Sequence, residues 1–288
     1  MKDFPIPVRT IGPGSQSDGG DLLDYMPMPQ GMETFRPPVL PESEEVAERK
    51  GAQLALRNTL AQLKATCADG VNRRAGLGGL AEADLGLVNQ VLGEGEVSAV
   101  VHAADPQREA WVVQESVFAG VWRVVCSQDG RIVKDAIEVG AVPDALKAAA
   151  REDVLGEMAR WDGVLPPNVQ NAPALLAEIE DHCRNWRAGQ PAQVLNLTLL
   201  PMSAEDIGFL DHHLGTGRVL ILSRGYGNCR ITNTCMPNCW RVVYYNSQDV
   251  VILNTVEISE LPDVAQAAPE DLADSLERLQ DVLDCGAT

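Results

Sequence analysis

The chain has 288 residues, 45% hydrophobic and 22% charged, enough apolar material for one large domain or two small ones and too much for a disordered polymer. Its formal net charge of −18 argues against nucleic acid and against insertion at an anionic membrane, because phosphate binding needs clustered Lys and Arg. Such a surface keeps a protein soluble and attracts basic partners.

Residues 1–43 are rich in Pro, Gly and Met and read as an extended arm. In Tyr25-Met26-Pro27-Met28-Pro29-Gln30-Gly31-Met32 each proline removes a donor and constrains its predecessor, so no helix is expected. The methionines either pack on the body or meet a partner, a use that suits their adaptable side chains. The first residues are proline-broken and lack an apolar stretch of signal length, and no run is apolar enough for a membrane span. A cytoplasmic protein without membrane insertion is expected, with Cys67, Cys126, Cys183, Cys229, Cys235, Cys239 and Cys285 reduced.

A helix is expected from Glu44 to about Cys67, where Leu56, Leu60, Leu63 and Cys67 recur at helical spacing, followed by a glycine-broken linker to residue 79. Beyond it the sequence repeats. Asp84-Leu85-Gly86-Leu87-Val88 returns 122 residues later as Asp206-Ile207-Gly208-Phe209-Leu210, and Leu92-Gly93-Glu94-Gly95 returns as Leu214-Gly215-Thr216-Gly217. Trp122-Arg123-Val124-Val125 then matches Trp240-Arg241-Val242-Val243 at an offset of 118, Ser127-Gln128-Asp129 matches Ser247-Gln248-Asp249, and Pro143-Asp144 matches Pro262-Asp263. Blocks in the same order with small gaps indicate an internal duplication.

Each copy reads as one helix followed by three strands, an α+β fold with additional helices between and after the copies. Ser203-Ala204-Glu205-Asp206 has the form of a capped helix start, and Gly215 of a helix end. The expected organisation is an arm (1–43), a helix and linker (44–79), a first module (80–145), a helical connector (146–201), and a second module with an acidic terminal helix (202–288). The connector holds two expected helices, about Pro143 to Trp161 and about Pro173 to Arg187; the terminal helix runs from Pro269 to Leu283.

No nucleophile elbow, Walker loop or HExxH helix occurs, so no catalytic residue is assigned and no cofactor is expected. Gly93-Glu94-Gly95 and Gly215-Thr216-Gly217 follow a helix and precede a strand, the reverse of a phosphate loop. Cys229, Cys235 and Cys239 form the alternative of a metal or iron–sulfur carrier, although their spacing is not that of a zinc ribbon. The repeat places Val117 and Val121 opposite Cys235 and Cys239, which favours apolar packing for those two; Cys229 lies in an apparent loop, where exposure is expected.

The second copy holds polar and aromatic residues that the first lacks, and these carry a resemblance. Gly225-Tyr226-Gly227-Asn228-Cys229-Arg230-Ile231-Thr232, Trp240, Tyr244-Tyr245-Asn246-Ser247 and Leu253-Asn254-Thr255-Val256-Glu257 resemble the C-terminal signature of the HupH/HyaF/HoxQ family of [NiFe]-hydrogenase maturation factors. Met26-Pro27-Met28-Pro29-Gln30-Gly31-Met32 resembles its N-terminal motif. The family pattern keeps a cysteine at Cys229 and does not call for Cys235 or Cys239. The resemblance implies a non-enzymatic, chaperone-like accessory protein. Its partner would be the precursor of an uptake hydrogenase small subunit, alternatively the large subunit, with other maturation proteins attending. Partner contacts are then expected at Met28, Pro29, Gly31, Met32, Tyr226, Asn228, Cys229, Arg230, Thr232, Trp240, Tyr245, Asn246 and Asn254.

Overall fold

A computed structural model describes residues 49–105, 107–155, 161–225 and 227–285, the side chain of Cys285 excepted. The expected arm lies outside these residues, as does the start of the first expected helix. In chain order the elements are α1 (Lys50–Asp69), β1 (Arg73–Gly76), α2 (Glu82–Leu92), β2 (Val97–Val101), β3 (Ala110–Glu115), β4 (Val121–Gln128), β5 (Arg131–Val139) and α3 (Asp144–Glu152). They continue with α4 (Ala172–Asn185), β6 (Gln193–Asn196), a 3-10 turn (Leu197–Leu199), α5 (Ala204–Leu214), β7 (Val219–Ser223), β8 (Asn228–Asn233), β9 (Cys239–Tyr245), β10 (Val251–Ile258), a second 3-10 turn (Asp263–Ala265) and α6 (Pro269–Cys285).

All ten strands join one antiparallel sheet in the order β1-β5-β4-β3-β2-β7-β8-β9-β10-β6. The order is a mirror about the β2–β7 seam. At that seam Ala99 pairs with Ile221, its own counterpart 122 residues on. A local twofold therefore runs between these two residues, and the sequence repeat becomes a symmetric sheet.

The same symmetry reaches the loops. Val117 N–H donates to Leu92 O at 2.8 Å and Cys235 N–H to Leu214 O at 2.8 Å; Gly95 N–H donates to Glu115 O at 2.7 Å and Gly217 N–H to Asn233 O at 2.9 Å. The Trp122 indole donates to Gly140 O at 2.9 Å, the Trp240 indole to Ser259 O at 3.2 Å.

Each half has four consecutive strands after its helix, not three, and a short edge strand before it. The expectation of three strands per copy omitted one strand in each half, and a loop was expected at the start of β8. In β8, Cys229, Ile231 and Asn233 point inward while Asn228, Arg230 and Thr232 point outward, so a half-covered strand carries a polar sequence. The expected linker contains β1, and the expected helical connector contains β6. Both are four-residue edge strands held by backbone bonding to β5 and β10, which leaves little side-chain signal. Helix α3 stops at Glu152, short of Trp161.

Helix α5 begins as its sequence predicts. Ser203 Oγ accepts from Asp206 N–H while Asp206 accepts from Ser203 N–H, a closed capping box. Gly215 follows it with φ 68, and a side chain there would meet Cys235.

The sheet has two unlike faces. One carries a continuous core through both halves, from Trp122 and Val124 to Trp240 and Val242, under Leu146 and Ala149 of α3. The other carries two separate cores. Helices α1, α2 and α6 cover one end, with Leu56, Leu63, Val88 and Leu279 against Ile137 and Val139. Helices α4 and α5 cover the other end, with Ile179, Phe209 and Leu210 against Val256 and Ile258.

Truncation of either central tryptophan removes a fully buried ring and orphans a carbonyl. Trp122→Ala and Trp240→Ala should each lower the unfolding free energy by about 3–5 kcal/mol in urea titrations. Equal losses are expected from the two, because their seats are equivalent.

Candidate functional site

Strand alternation sorts the sequence-predicted contact residues into two sets. Cys229 and Trp240 point into the shared core and are 1% exposed each. This corrects the expected exposure of Cys229: β8 is a strand, and every second residue of it faces inward. Burial pushes the Cys229 thiol up to about 12; it lies directly across from Tyr244 on β9. Trp240 also borders a cleft of about 330 Å³ that holds Lys147, Arg151 and Glu260, all three joined by ion pairs.

The second set faces the opposite side. Asn228, Arg230 and Thr232 of β8, Tyr245 of β9 and Asn254 of β10 lie there, between the two helical layers. Cross-strand rows define the surface. One runs Val112–Val100–Leu220–Thr232–Arg241, the next Gln114–Ser98–Leu222–Arg230–Val243–Asn254. Val100, Val112, Leu220 and Leu222 belong to neither helix-covered core, and Val112 is 54% exposed. The Arg230 guanidinium stands 5.8 Å from the centre of the Tyr245 ring. The middle of this face is thus an apolar floor carrying one arginine–tyrosine pair and several amide and hydroxyl groups.

Two symmetric clamps bound the face. Arg241 of β9 donates to Asp211 of α5 at 2.8 Å and to Asn254 Oδ1 at 2.7 Å. Arg123 of β4 donates to Asn89 of α2 at 3.0 Å and pairs with Asp135. The sequence reading missed these four clamp residues, although the repeat equates Arg123 with Arg241 and Asn89 with Asp211. Asn246 has a structural task in the β9–β10 turn, where Oδ1 accepts from Gln248 N–H at 2.9 Å and Val250 N–H at 3.0 Å. Met28, Pro29, Gly31, Met32 and Tyr226 lie outside the described residues.

The three cysteines of the carrier alternative do not converge. Cys229 faces the shared core, whereas Cys239 faces the core under α4 and α5. Cys239 instead shares a hydrogen bond with Cys183 of α4, which together with burial raises the Cys183 thiol. Cys235 sits in the turn against Gly215. Thiols on opposite sides of a sheet cannot ligate one ion, so this geometry overturns the three-cysteine site.

The halves also differ at the corner beside the seam. In the second half Asn233 accepts from Val219 N–H and donates to Asp153, which also binds Arg218 at 2.6 Å. In the first half Glu115 replaces Asn233 and Glu96 replaces Arg218. Burial pushes the Glu115 carboxyl up to about 7, aided by Glu96 and Asp271 and opposed by the Gly120 and Val97 N–H groups.

Among the described residues no group of His, Cys, Asp and Glu converges to hold a metal ion. The model for the HupH hydrogenase expression protein, C-terminal conserved region, matches twice, at residues 56–166 and 169–285. The two matches fall on the two halves of the sheet, and the chain belongs to this family. It is 53% identical over 286 residues to the hydrogenase expression/formation protein HoxQ of Cupriavidus necator, covering 98% of each chain. It is 44% identical to HupH of Rhodobacter capsulatus over 99% of this chain and 98% of that one. Identity to the hydrogenase-1 operon protein HyaF of Escherichia coli is 32%, covering 94% of each.

Two outcomes test the site. Because Glu115 titrates higher folded than unfolded, it is held neutral in the fold; its contribution is intact below its ordinary value of 4.5 and is lost as pH rises to about 7. Glu115→Gln should remove that decline, so the variant gains stability relative to the parent between pH 5 and about 8 in thermal melts. Native alkylation followed by peptide mass mapping should modify exposed Cys67 and spare Cys229 and Cys239 until the protein unfolds.

Proposed function

We propose that this chain is a cytoplasmic accessory protein of [NiFe]-hydrogenase maturation that binds a hydrogenase subunit precursor, the small subunit, before its export. Family membership carries this reading, since relatives over nearly the full length are named hydrogenase expression/formation proteins. The face between the helical layers supports it, with Arg230, Tyr245, Asn228 and Thr232 presented on an apolar floor. Tyrosine and arginine are the side chains that most often anchor protein interfaces. The role is binding rather than catalysis. The net charge of −18 suits a client with a basic leader and acts mainly on the rate of encounter.

The experiment is affinity capture of the tagged full chain from cells expressing the hydrogenase operon, read by mass spectrometry. Unprocessed small subunit is the expected catch; large subunit would replace the proposed client, and neither subunit would overturn the reading. Arg230→Glu with Tyr245→Ala should cut capture at least tenfold with an unchanged melting temperature. Association should slow as salt rises; a salt-independent rate would remove the electrostatic part.

A further inference from the structure

The two ends of the sheet are equivalent by symmetry and differ in chemistry. At one end β1 covers only Ala136–Val139 of β5; at the other β6 covers only Thr255–Ile258 of β10. The Thr198 hydroxyl takes the next outward N–H, that of Asn254, at 2.8 Å. Beyond it, among the described residues, no strand lies beside the outer edge of Val251–Leu253. A β-bulge at Ile252, mirrored at Val133 in the first half, limits this bare stretch to a few residues.

An uncovered edge is a template for another chain, and folded proteins guard it with charge, lysine above all. The β1–β5 end is guarded. Arg131 and Lys134 flank its exposed Ile132 and Val133 on β5, and Arg73 and Arg74 stand on β1 farther along the same rim. The β10 end is not. No Lys or Arg occurs from Ala188 to Gly217 or from Val242 to Glu277, the two stretches that build it, while Asp249 immediately precedes the bare stretch. In their place stand apolar side chains: Val250 is 55% exposed, Val251 48%, Ile252 57% and Leu199 80%. Exposed apolar groups gathered at one edge mark a contact surface.

We infer that the outer edge of β10 at Val251–Leu253 takes up a short, extended, basic segment of a partner protein, added as a strand in line with β6. Main-chain hydrogen bonds supply the binding, the exposed valines and Ile252 meet alternate apolar residues of the segment, and Asp249 with the chain's net charge of −18 favours its lysines or arginines. A second copy of this chain fits less well. Two bodies of charge −18 repel each other, and the acidic edge of one offers no basic segment to the other.

This inference goes beyond the maturation reading. Its test involves no hydrogenase subunit, so either can fail alone. The probe is an acetylated and amidated hexapeptide alternating lysine and valine, titrated into the full chain by fluorescence anisotropy, with amide exchange followed by mass spectrometry. Binding with slowed exchange at 251–253 is expected. Val251→Lys with Ile252→Lys should weaken it at least tenfold, whereas Ile132→Lys with Val133→Lys, the mirror substitutions, should leave it unchanged. A peptide N-methylated at every second residue in the bonding register should not bind. No binding, protection elsewhere, or equal affinity in the edge variant or for the methylated peptide would overturn the proposal. So would an oligomer in sedimentation that the edge variant dissolves, since the edge would then belong to a second copy.

Discussion

The β2–β7 pairing is the constraint on which the molecule depends. Five residue pairs join two halves whose remaining strands bond only within their own half. Through that seam two small sheets become one of ten strands, and the core on the shared face becomes continuous from Trp122 to Trp240. Neither half alone has this core, because α3 of the first half lies over the seam and reaches Arg218 and Asn233 of the second through Asp153.

The seam also sets where a partner can approach. With helices at both ends of one face, only its middle is free of helical cover among the described residues, and that middle is built from strands of both copies. The arginine clamps hold α2 and α5 away from it at either side. Divergence then acts locally. β3 presents Val112 and Gln114 where β8 presents Arg230 and Thr232, so one floor is plain and the other polar.

Much of this was legible in the sequence, and the losses have physical causes. The duplication was read from residues alone, as were the α5 capping box and the role of Gly215 as a helix end. The apolar expectation for Cys239 followed from Val121 in the other copy. What the sequence did not yield was β8, because a strand with one open face can be half polar, and β1 and β6, because edge strands depend on backbone bonding that leaves no pattern in side chains. Cys229 was misplaced for the same reason as β8: a loop reading erases the alternation that turns it inward. The Arg123 and Arg241 clamps were present in the aligned blocks, yet their partners Asn89 and Asp211 differ in charge, and the match of position was hidden by the mismatch of chemistry.

The twofold between Ala99 and Ile221 has a consequence for ancestry. A lone half would end in an open five-residue strand whose counterpart in a second identical half would pair with it in the same register. Two such halves would form a closed homodimer around one axis, with every contact made twice. Joining them in one chain keeps the seam and releases each side from obeying the other's sequence. Lysine and arginine on one rim and none on the other is an asymmetry that no true homodimer can hold.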